Sequence, residues 1–332
     1  HIVYPLLPVI YETAHRSGIR PERPMAVATI ASQQAITASP VAAATAAMIG
    51  LFAEKGMTQW GLPQILMVCV PATLTGVVAA AIVSMFVGKD LKDDPEYQAR
   101  LAAGQIPAPQ ADTSRTPLKP GARLSAFIFL AGVALVVLFG FFPSLRQLPG
   151  AKSPLAMPIV IEILMMSVAA IMLLVTKVAV DEVPKTATLR AGVVAVIGIF
   201  GLAWLGDSFI AANKDVIVPA IGDWAKVAPW TFAFGLFLAS VLLYSQAATT
   251  RALMPLGIAL GIPPQFLIAM FPSVNGYFFI PTYGSLIAAI NFDLSGTTKI
   301  GKYVLNHSFM IPGLVATSVA VFTGLAIARV IF

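Results

Sequence analysis

Long apolar runs, separated by short polar or proline-bearing stretches, organise this chain. Residues 63–87, 124–143, 154–175 and 189–205 are nearly free of charge, and a fifth run, 310–332, is expected to begin a turn earlier. A helix needs roughly 20 mostly apolar residues to cross a bilayer, so each reads as a membrane span. Residues 1–11, 25–51 and 229–292 are hydrophobic too, but prolines, glycines and small polar residues interrupt them. The stretch 88–123 differs in kind, being charged at its start and then rich in Pro and Gln. It reads as a solvated loop between two halves.

Composition narrows the class. Of 332 residues, 58% are hydrophobic and 11% charged, and the mean hydropathy is +0.85. Soluble domains carry about 25% charged residues, so a soluble enzyme, a disordered tail and a nucleic-acid module are excluded. The pI near 9.5 comes from scattered charges rather than a basic stripe. The single cysteine, Cys69, excludes an intramolecular disulfide. The three histidines lie far apart, and there is no Walker lysine motif or catalytic constellation. The sequence opens with His1 inside an apolar run and without a basic leader, so a missing N-terminal portion is expected.

Loop charge gives an orientation. If 229–262 is a re-entrant hairpin, loops 15–24, 88–123, 177–190 and 293–302 share one side and hold 14 Lys and Arg. The opposite loops, 52–62, 144–153 and 207–229, hold 5. A single crossing at 229–262 would shrink the bias to 12 against 7. The positive-inside rule therefore favours the hairpin and a cytoplasmic 88–123 loop.

Two stretches resemble each other. Leu7-Pro8, Gly18-Ile19-Arg20-Pro21 and Thr37-Ala38-Ser39-Pro40 parallel Met254-Pro255, Gly261-Ile262-Pro263-Pro264 and Ile280-Pro281-Thr282. In the charge-derived topology the two units are inverted. Inverted repeats with broken helices near the midplane mark secondary transporters. A break frees backbone N–H groups at the positive end of the next half-helix, which suits an anion. Thr37, Ser39, Pro40, Ser245, Gln246, Thr249, Asn275, Pro281 and Thr282 are the expected binding residues, joined by Arg251 just beyond the hairpin break. Their hydroxyls and amides can donate to carboxylate oxygens.

The ordered motifs resemble the anaerobic C4-dicarboxylate transporters of the Dcu family, of the DcuA type. The resemblance rests on Gly18-Ile19-Arg20-Pro21-Glu22-Arg23-Pro24, Ile36-Thr37-Ala38-Ser39-Pro40-Val41 and Ala203-Trp204-Leu205-Gly206-Asp207. It continues through Tyr244-Ser245-Gln246-Ala247-Ala248-Thr249, Pro281-Thr282-Tyr283, Ser295-Gly296-Thr297-Thr298-Lys299-Ile300-Gly301-Lys302, Asn306-His307-Ser308 and Ile311-Pro312-Gly313. It implies an inner-membrane carrier exchanging fumarate, succinate, malate and aspartate. The wider superfamily implies an all-α, elevator-like architecture with inverted repeats, broken helices and re-entrant hairpins.

The expected division is a first repeat half at 1–51, a span within 52–88, the cytoplasmic loop 89–123 and scaffold helices at 124–206. An external connection 207–228, a second hairpin with its broken helix at 229–292, and a turn plus final span at 293–332 complete it. The expected partners are small dicarboxylates, membrane lipid and a second copy of the chain, with no nucleic acid. No cofactor is expected beyond a coupling Na⁺ or H⁺. The chain departs from the family at Gly284-Ser285-Leu286, where relatives carry Pro or Ser-Asp, which removes an acidic residue tied to a sensor-partner role.

Other polar positions have two readings each. Arg251 is a carboxylate partner or a side chain snorkelling to the surface. Glu162 is an intramembrane functional acid or, as favoured here, a helix contact. Asp293 and Lys299 steer anions or organise their turn. His307 is a proton relay or a satisfied structural histidine. Asn275 reaches the site or bonds between helices. Trp60, Trp204, Trp224 and Trp230 sit near span ends as interface anchors.

Overall fold

The computed structural model describes residues 3–106, 121–149, 154–155, 157–176, 178–185, 212 and 230–332. The expected span at 189–205, the connection at 207–228, His1, Trp204, Trp224 and the Ala203–Asp207 motif lie outside the described residues. Among the described residues the regular structure is helical, with one isolated bridge between Ile300 and His307.

Twelve α-helices are described: α1 (Val3–Arg16), α2 (Glu22–Gln34), α3 (Ala43–Glu54), α4 (Leu62–Ser84), α5 (Pro95–Ala102), α6 (Ala122–Phe141) and α7 (Met157–Thr176) come first. They are followed by α8 (Thr231–Leu243), α9 (Gln246–Ala259), α10 (Pro264–Met270), α11 (Gly284–Phe292) and α12 (Met310–Ile331). A 3-10 segment, Phe271–Phe278, continues α10. Four stretches are long and apolar enough to cross a membrane: Leu62–Ser84, Ala122–Phe141, Ile159–Thr176 and Met310–Ile331. These are the expected spans with shifted ends. The last begins at Met310 rather than a turn earlier, because the backbone of 299–308 is tied into the Ile300–His307 bridge.

The interrupted regions fold as breaks. After α2 the chain passes through turns and resumes as α3 at Ala43, with Ala42 extended at ψ 142°. Between α8 and α9, Tyr244 adopts a left-handed φ of 51° and Ser245 is extended, which reverses the chain. Phe232, at the start of α8, packs where Gly257 stands near the end of α9. The two arms are therefore antiparallel, and at 13 and 14 residues each is too short to span.

The sequence repeat has a local structural counterpart. Gly18 ends α1 at φ 69° and Gly261 ends α9 at φ 75°. At the first, Ile19 N donates to Ala14 O (2.9 Å) and Gly18 N to His15 O (3.2 Å). At the second, Ile262 N donates to Gly257 O (3.1 Å) and Gly261 N to Ile258 O (3.0 Å). Both are Schellman caps, which place the C′ residue where only glycine is unstrained. Both helices also carry an internal proline, Pro8 and Pro255.

The two turns lie at opposite ends of α4. Arg23 Nε donates to Val87 O (2.9 Å), which places the first turn at the helix's C-terminal end. In the second unit, Cys69 Sγ lies 3.6 Å from Ile268 O, and Phe278 packs on Gly313. Since α12 runs antiparallel to α4, from Phe332 beside Trp60 to Ala316 beside Gly76, the 264–278 segment runs toward the end of α4. The Gly261 turn before it therefore sits at the start of α4. The two glycine turns thus lie at opposite ends of α4, as inverted units would place them.

Small residues let α4 and α12 pack along their length: Gly76 meets Ala316 O and Ala320, and Ala72 and Ala80 are buried. Close approach of this kind suits an apolar solvent, where burying large side chains gives helices no advantage over lipid. Two cores result. One gathers Met48, Phe52, Ile65, Val68, Leu236, Leu267, Phe271 and Val274, and the other Leu7, Met25, Ile30, Phe278, Leu286 and Phe309. The chain passes from one to the other between Val274 and Phe278.

The stretch expected as a solvated loop is structured over 88–106, and its last residues begin α6. It carries α5 and a small cluster of Leu91, Tyr97 and Ile106. Ion pairs from the first turn hold it, Arg20 to Asp94 (2.5 Å) and Arg23 to Asp90 (2.8 Å), while Glu22 within the turn orients Arg20 (2.6 Å). Burial alone would raise the Asp94 carboxyl, but the hydrogen bond and charge of Arg20 outweigh it and hold the group below its usual range.

Candidate binding site

Asn275 occupies the crossing between the two cores, fully buried, with non-helical dihedrals (φ −93°, ψ 19°) that turn it out of the 3-10 segment. Its Nδ2 donates to Gln34 Oε1 (3.2 Å) and Thr37 Oγ1 (3.4 Å), at the first break. Its Oδ1 accepts from Gln246 Nε2 (3.3 Å), at the hairpin tip. Gln246 Nε2 also donates to Tyr277 OH (2.6 Å), and Gln34 Nε2 donates to Thr317 Oγ1 on α12 (2.8 Å). The first break and the hairpin tip thus meet on one amide, and α12 joins the network through Gln34.

The backbone supports this meeting. Ser240 Oγ accepts from Gly276 N (2.8 Å) and donates to Phe237 O (2.7 Å), pinning α8 to the bend. A side chain at Gly276 would stand 2.6 Å from Ser240 Oγ and 2.8 Å from Phe237 O, so the close approach requires glycine. On the other side, Gln33 Nε2 lies 3.4 Å from Ser285 Oγ, at the start of α11. The rings of Tyr277 and Tyr283 sit 4.4 Å apart.

Helix starts gather here as well. α3 follows Thr37 and α9 begins with Gln246, so both start at the network, and they pack together. Ala42 gives α3 no side-chain cap, and Ser245 Oγ accepts only from Ala248 N at α9. α1 packs against α11, and both run to the end where 88–106 sits, since His15 bonds to Tyr97 and Ser295 O to Arg100. Uncapped N–H groups and helix dipoles give the centre positive potential without a cation. No Asp, Glu, Lys or Arg takes part in the hydrogen bonds named at this centre. Such a site can hold a compact anion by neutral donors in a medium where a fixed charge is costly.

The structure brings Thr37, Gln246 and Asn275 into direct contact. Thr249 is buried one turn into α9, its hydroxyl donating to Ser245 O (2.8 Å), and Ser245 forms the N-cap. Ser39 and Pro40 line the first break and are half-buried, with Ser39 Oγ accepting from Val41 N (3.4 Å). Pro281 is buried, whereas Thr282 is exposed and donates to Tyr244 OH (2.8 Å). Arg251 is exposed on α9 and outside the network.

Four participants escaped the sequence reading: Gln33, Gln34, Tyr277 and Thr317. The Gln33-Gln34 pair was the visible signal, two amides in an apolar run three residues before Thr37.

The remaining polar positions have local roles. The Asp293 carboxylate accepts from Ser295 N (2.9 Å), Ser295 Oγ, Thr297 Oγ1 (2.8 Å) and Thr298 N (2.6 Å), organising its turn. Lys299 reaches Glu96 (3.2 Å). His307 Nδ1 accepts from Phe309 N (3.2 Å), which leaves Nε2 to donate to Phe279 O (3.1 Å). This arrangement needs the neutral ring, and burial lowers the histidine's pKa accordingly. Glu162 lies on an exposed face of α7 rather than in a helix contact. Among the described residues no group of three His, Cys, Asp or Glu side chains is placed to hold a metal.

A membrane bundle whose internal breaks gather neutral hydrogen-bond donors around a buried centre defines, by class, a multi-pass solute transporter rather than an enzyme. Comparison with known proteins makes this specific. The family described as anaerobic C4-dicarboxylate membrane transporters matches residues 1–332, and the chain belongs to that family. It is 38% identical over 332 residues to the C4-dicarboxylate transporter DcuA of Wolinella succinogenes, covering 100% of this chain and 75% of that protein. It is 40% identical over 319 residues to DcuA of Escherichia coli K12, covering 96% and 72%. Against the anaerobic C4-dicarboxylate transporter DcuB of Escherichia coli O157:H7 it is 36% identical over 326 residues, covering 96% and 73%. No solved structure matches.

Proposed function

We propose that the protein exchanges one C4-dicarboxylate for another across the bacterial inner membrane, with fumarate, succinate, malate and aspartate as substrates. The carrying observation is the Asn275 amide, bonded at once to Gln34 and Thr37 of the first break and to Gln246 of the hairpin tip. A substrate carboxylate replacing these internal contacts would receive donors from both repeats, so its binding would couple them. In this reading residues 1–51 and 229–292 form the mobile substrate-carrying unit, 124–206 forms the scaffold, and the 88–106 segment faces the cytoplasm.

Counterflow in proteoliposomes tests the proposal. Liposomes containing the full protein and unlabelled succinate are given labelled fumarate or aspartate outside, with and without Na⁺. Exchange predicts uptake that requires internal dicarboxylate and ignores Na⁺. Uptake into empty liposomes driven by a Na⁺ or H⁺ gradient would replace exchange by coupled uptake, and flux without trans-stimulation would indicate a channel.

A further inference from the structure

The turn joining α6 to α7 holds an arginine with no acidic partner among the described residues. Arg146 is half-buried; its Nε donates to Phe139 O (2.9 Å) and its Nη1 to Leu155 O (2.6 Å). Its own carbonyl accepts from Leu155 N (3.0 Å). The guanidinium is thereby fixed across the turn by carbonyls, without an ion pair among the described residues. Burial lowers its pKa with no carboxylate opposing the shift, and an arginine remains charged regardless.

Arg146 borders a cavity of about 810 Å³ between the α3–α4 turn and the α6–α7 turn. The walls include Thr58, Gln59, Trp60 and Gln64, and among the described residues the acid lining it is the exposed Glu54. The cavity sits at the end of the bundle toward which α3 and α9 run from the Asn275 centre, opposite the 88–106 segment. A low-dielectric wall around one fixed cation focuses its field on the opening.

We propose that this cavity is an entry vestibule in which Arg146 captures a carboxylate of the dicarboxylate before it reaches the Asn275 centre. The inference rests on the transport reading above. The planar guanidinium presents paired donors that match a carboxylate, and two of its N–H groups already lock its orientation. Glu54, across the same space, opposes the incoming dianion and tunes the capture.

Initial rates of counterflow against external succinate decide the matter. R146Q should raise KM roughly fivefold while keeping Vmax, and E54Q should lower KM. R146K should recover part of the loss, since it keeps the charge but not the fork. Raising ionic strength should raise the wild-type KM and leave that of R146Q nearly flat. A role confined to bracing the turn would not change that salt dependence. If R146Q does not insert, E54Q and the salt series still decide. Unchanged KM in E54Q and R146Q, alongside working wild-type counterflow, would overturn the vestibule and leave the transport reading standing. Absence of wild-type succinate counterflow would overturn both.

Discussion

Gln246 and Asn275 meet amide to amide, 3.3 Å apart, joining the tip of the hairpin to the bend of the second broken helix. Both are buried, and neither can turn to water while the contact lasts. Asn275→Ala leaves Gln246, Gln34 and Thr37 each short of a partner, at about 1–3 kcal/mol for an unsatisfied buried group. We expect thermal stability in detergent to fall and counterflow to drop at least roughly tenfold. Normal counterflow in a correctly inserted Asn275→Ala protein would remove Asn275 from the site.

Ser39 and Ser245 offer a test with less structural disturbance. Each is half-buried at a break, and a bulky apolar residue there fills the space a substrate would need. Ser39→Leu and Ser245→Leu should abolish exchange while leaving insertion intact. Ser245→Leu also loses the N-cap of α9, costing about 1 kcal/mol, which a melting curve would register. Exchange at unaltered affinity would mean the site lies elsewhere.

Gly276 probes the packing beneath the centre. A methyl placed 2.6 Å from Ser240 Oγ must push α8 away from the bend, so Gly276→Ala should destabilise by about 1–3 kcal/mol. Because Asn275 is its neighbour, affinity should fall with stability. Ser240→Ala should not rescue the variant, because the methyl still stands 2.8 Å from Phe237 O and Gly276 N loses its acceptor.

The 88–106 segment gives a pH dependence. His15 Nε2 lies 2.7 Å from Tyr97 OH and Nδ1 3.3 Å from Tyr11 OH, and burial lowers its pKa, the nearby Asp293 opposing in part. The folded protein therefore favours the neutral ring, and the unfolded chain binds a proton first as pH falls. Stability from this group is full above about 6.5 and declines as pH falls from there toward the folded value. Asp94 behaves as the usual carboxylate with a depressed pKa: its contribution is present above about 3.9 and is lost as pH falls through the folded value. The hydrogen-exchange protection of residues 88–106, relative to intrinsic exchange at each pH, should fall below neutrality, and His15→Gln should abolish that first step while leaving the acid limb.

The breaks were legible because proline, glycine and small polar residues stand out inside apolar runs, where an interrupted helix must satisfy its backbone by other means. Gly18 and Gly261 revealed the repeat for the same reason, since a Schellman cap demands a particular residue at a particular place. Gln34 and Thr317 were not legible as partners: 283 residues separate them, and nothing periodic links an amide on one helix to a hydroxyl on another. The order of 88–106 was hidden in a different way. Its charges look solvated locally, and partners delivered by distant turns, Arg20 and Arg23 from one and Lys299 and Ser295 O from another, convert them into attachments. Thr282 shows the opposite limit, because a polar residue beside a break can face outward, as it does toward Tyr244.

The neutral chemistry around Asn275 has an electrical consequence. A centre built from amides, hydroxyls and helix ends brings no formal charge of its own, so the charge at the centre is the cargo's. Swapping one doubly charged cargo for another then transfers no net charge and is indifferent to membrane voltage. One-way entry of a dianion into a negative cell would instead cost about 4.6 kcal/mol for every 100 mV. A carrier with such a centre can return a product to the outside in the same cycle that admits a substrate, without drawing on the cell's stored potential.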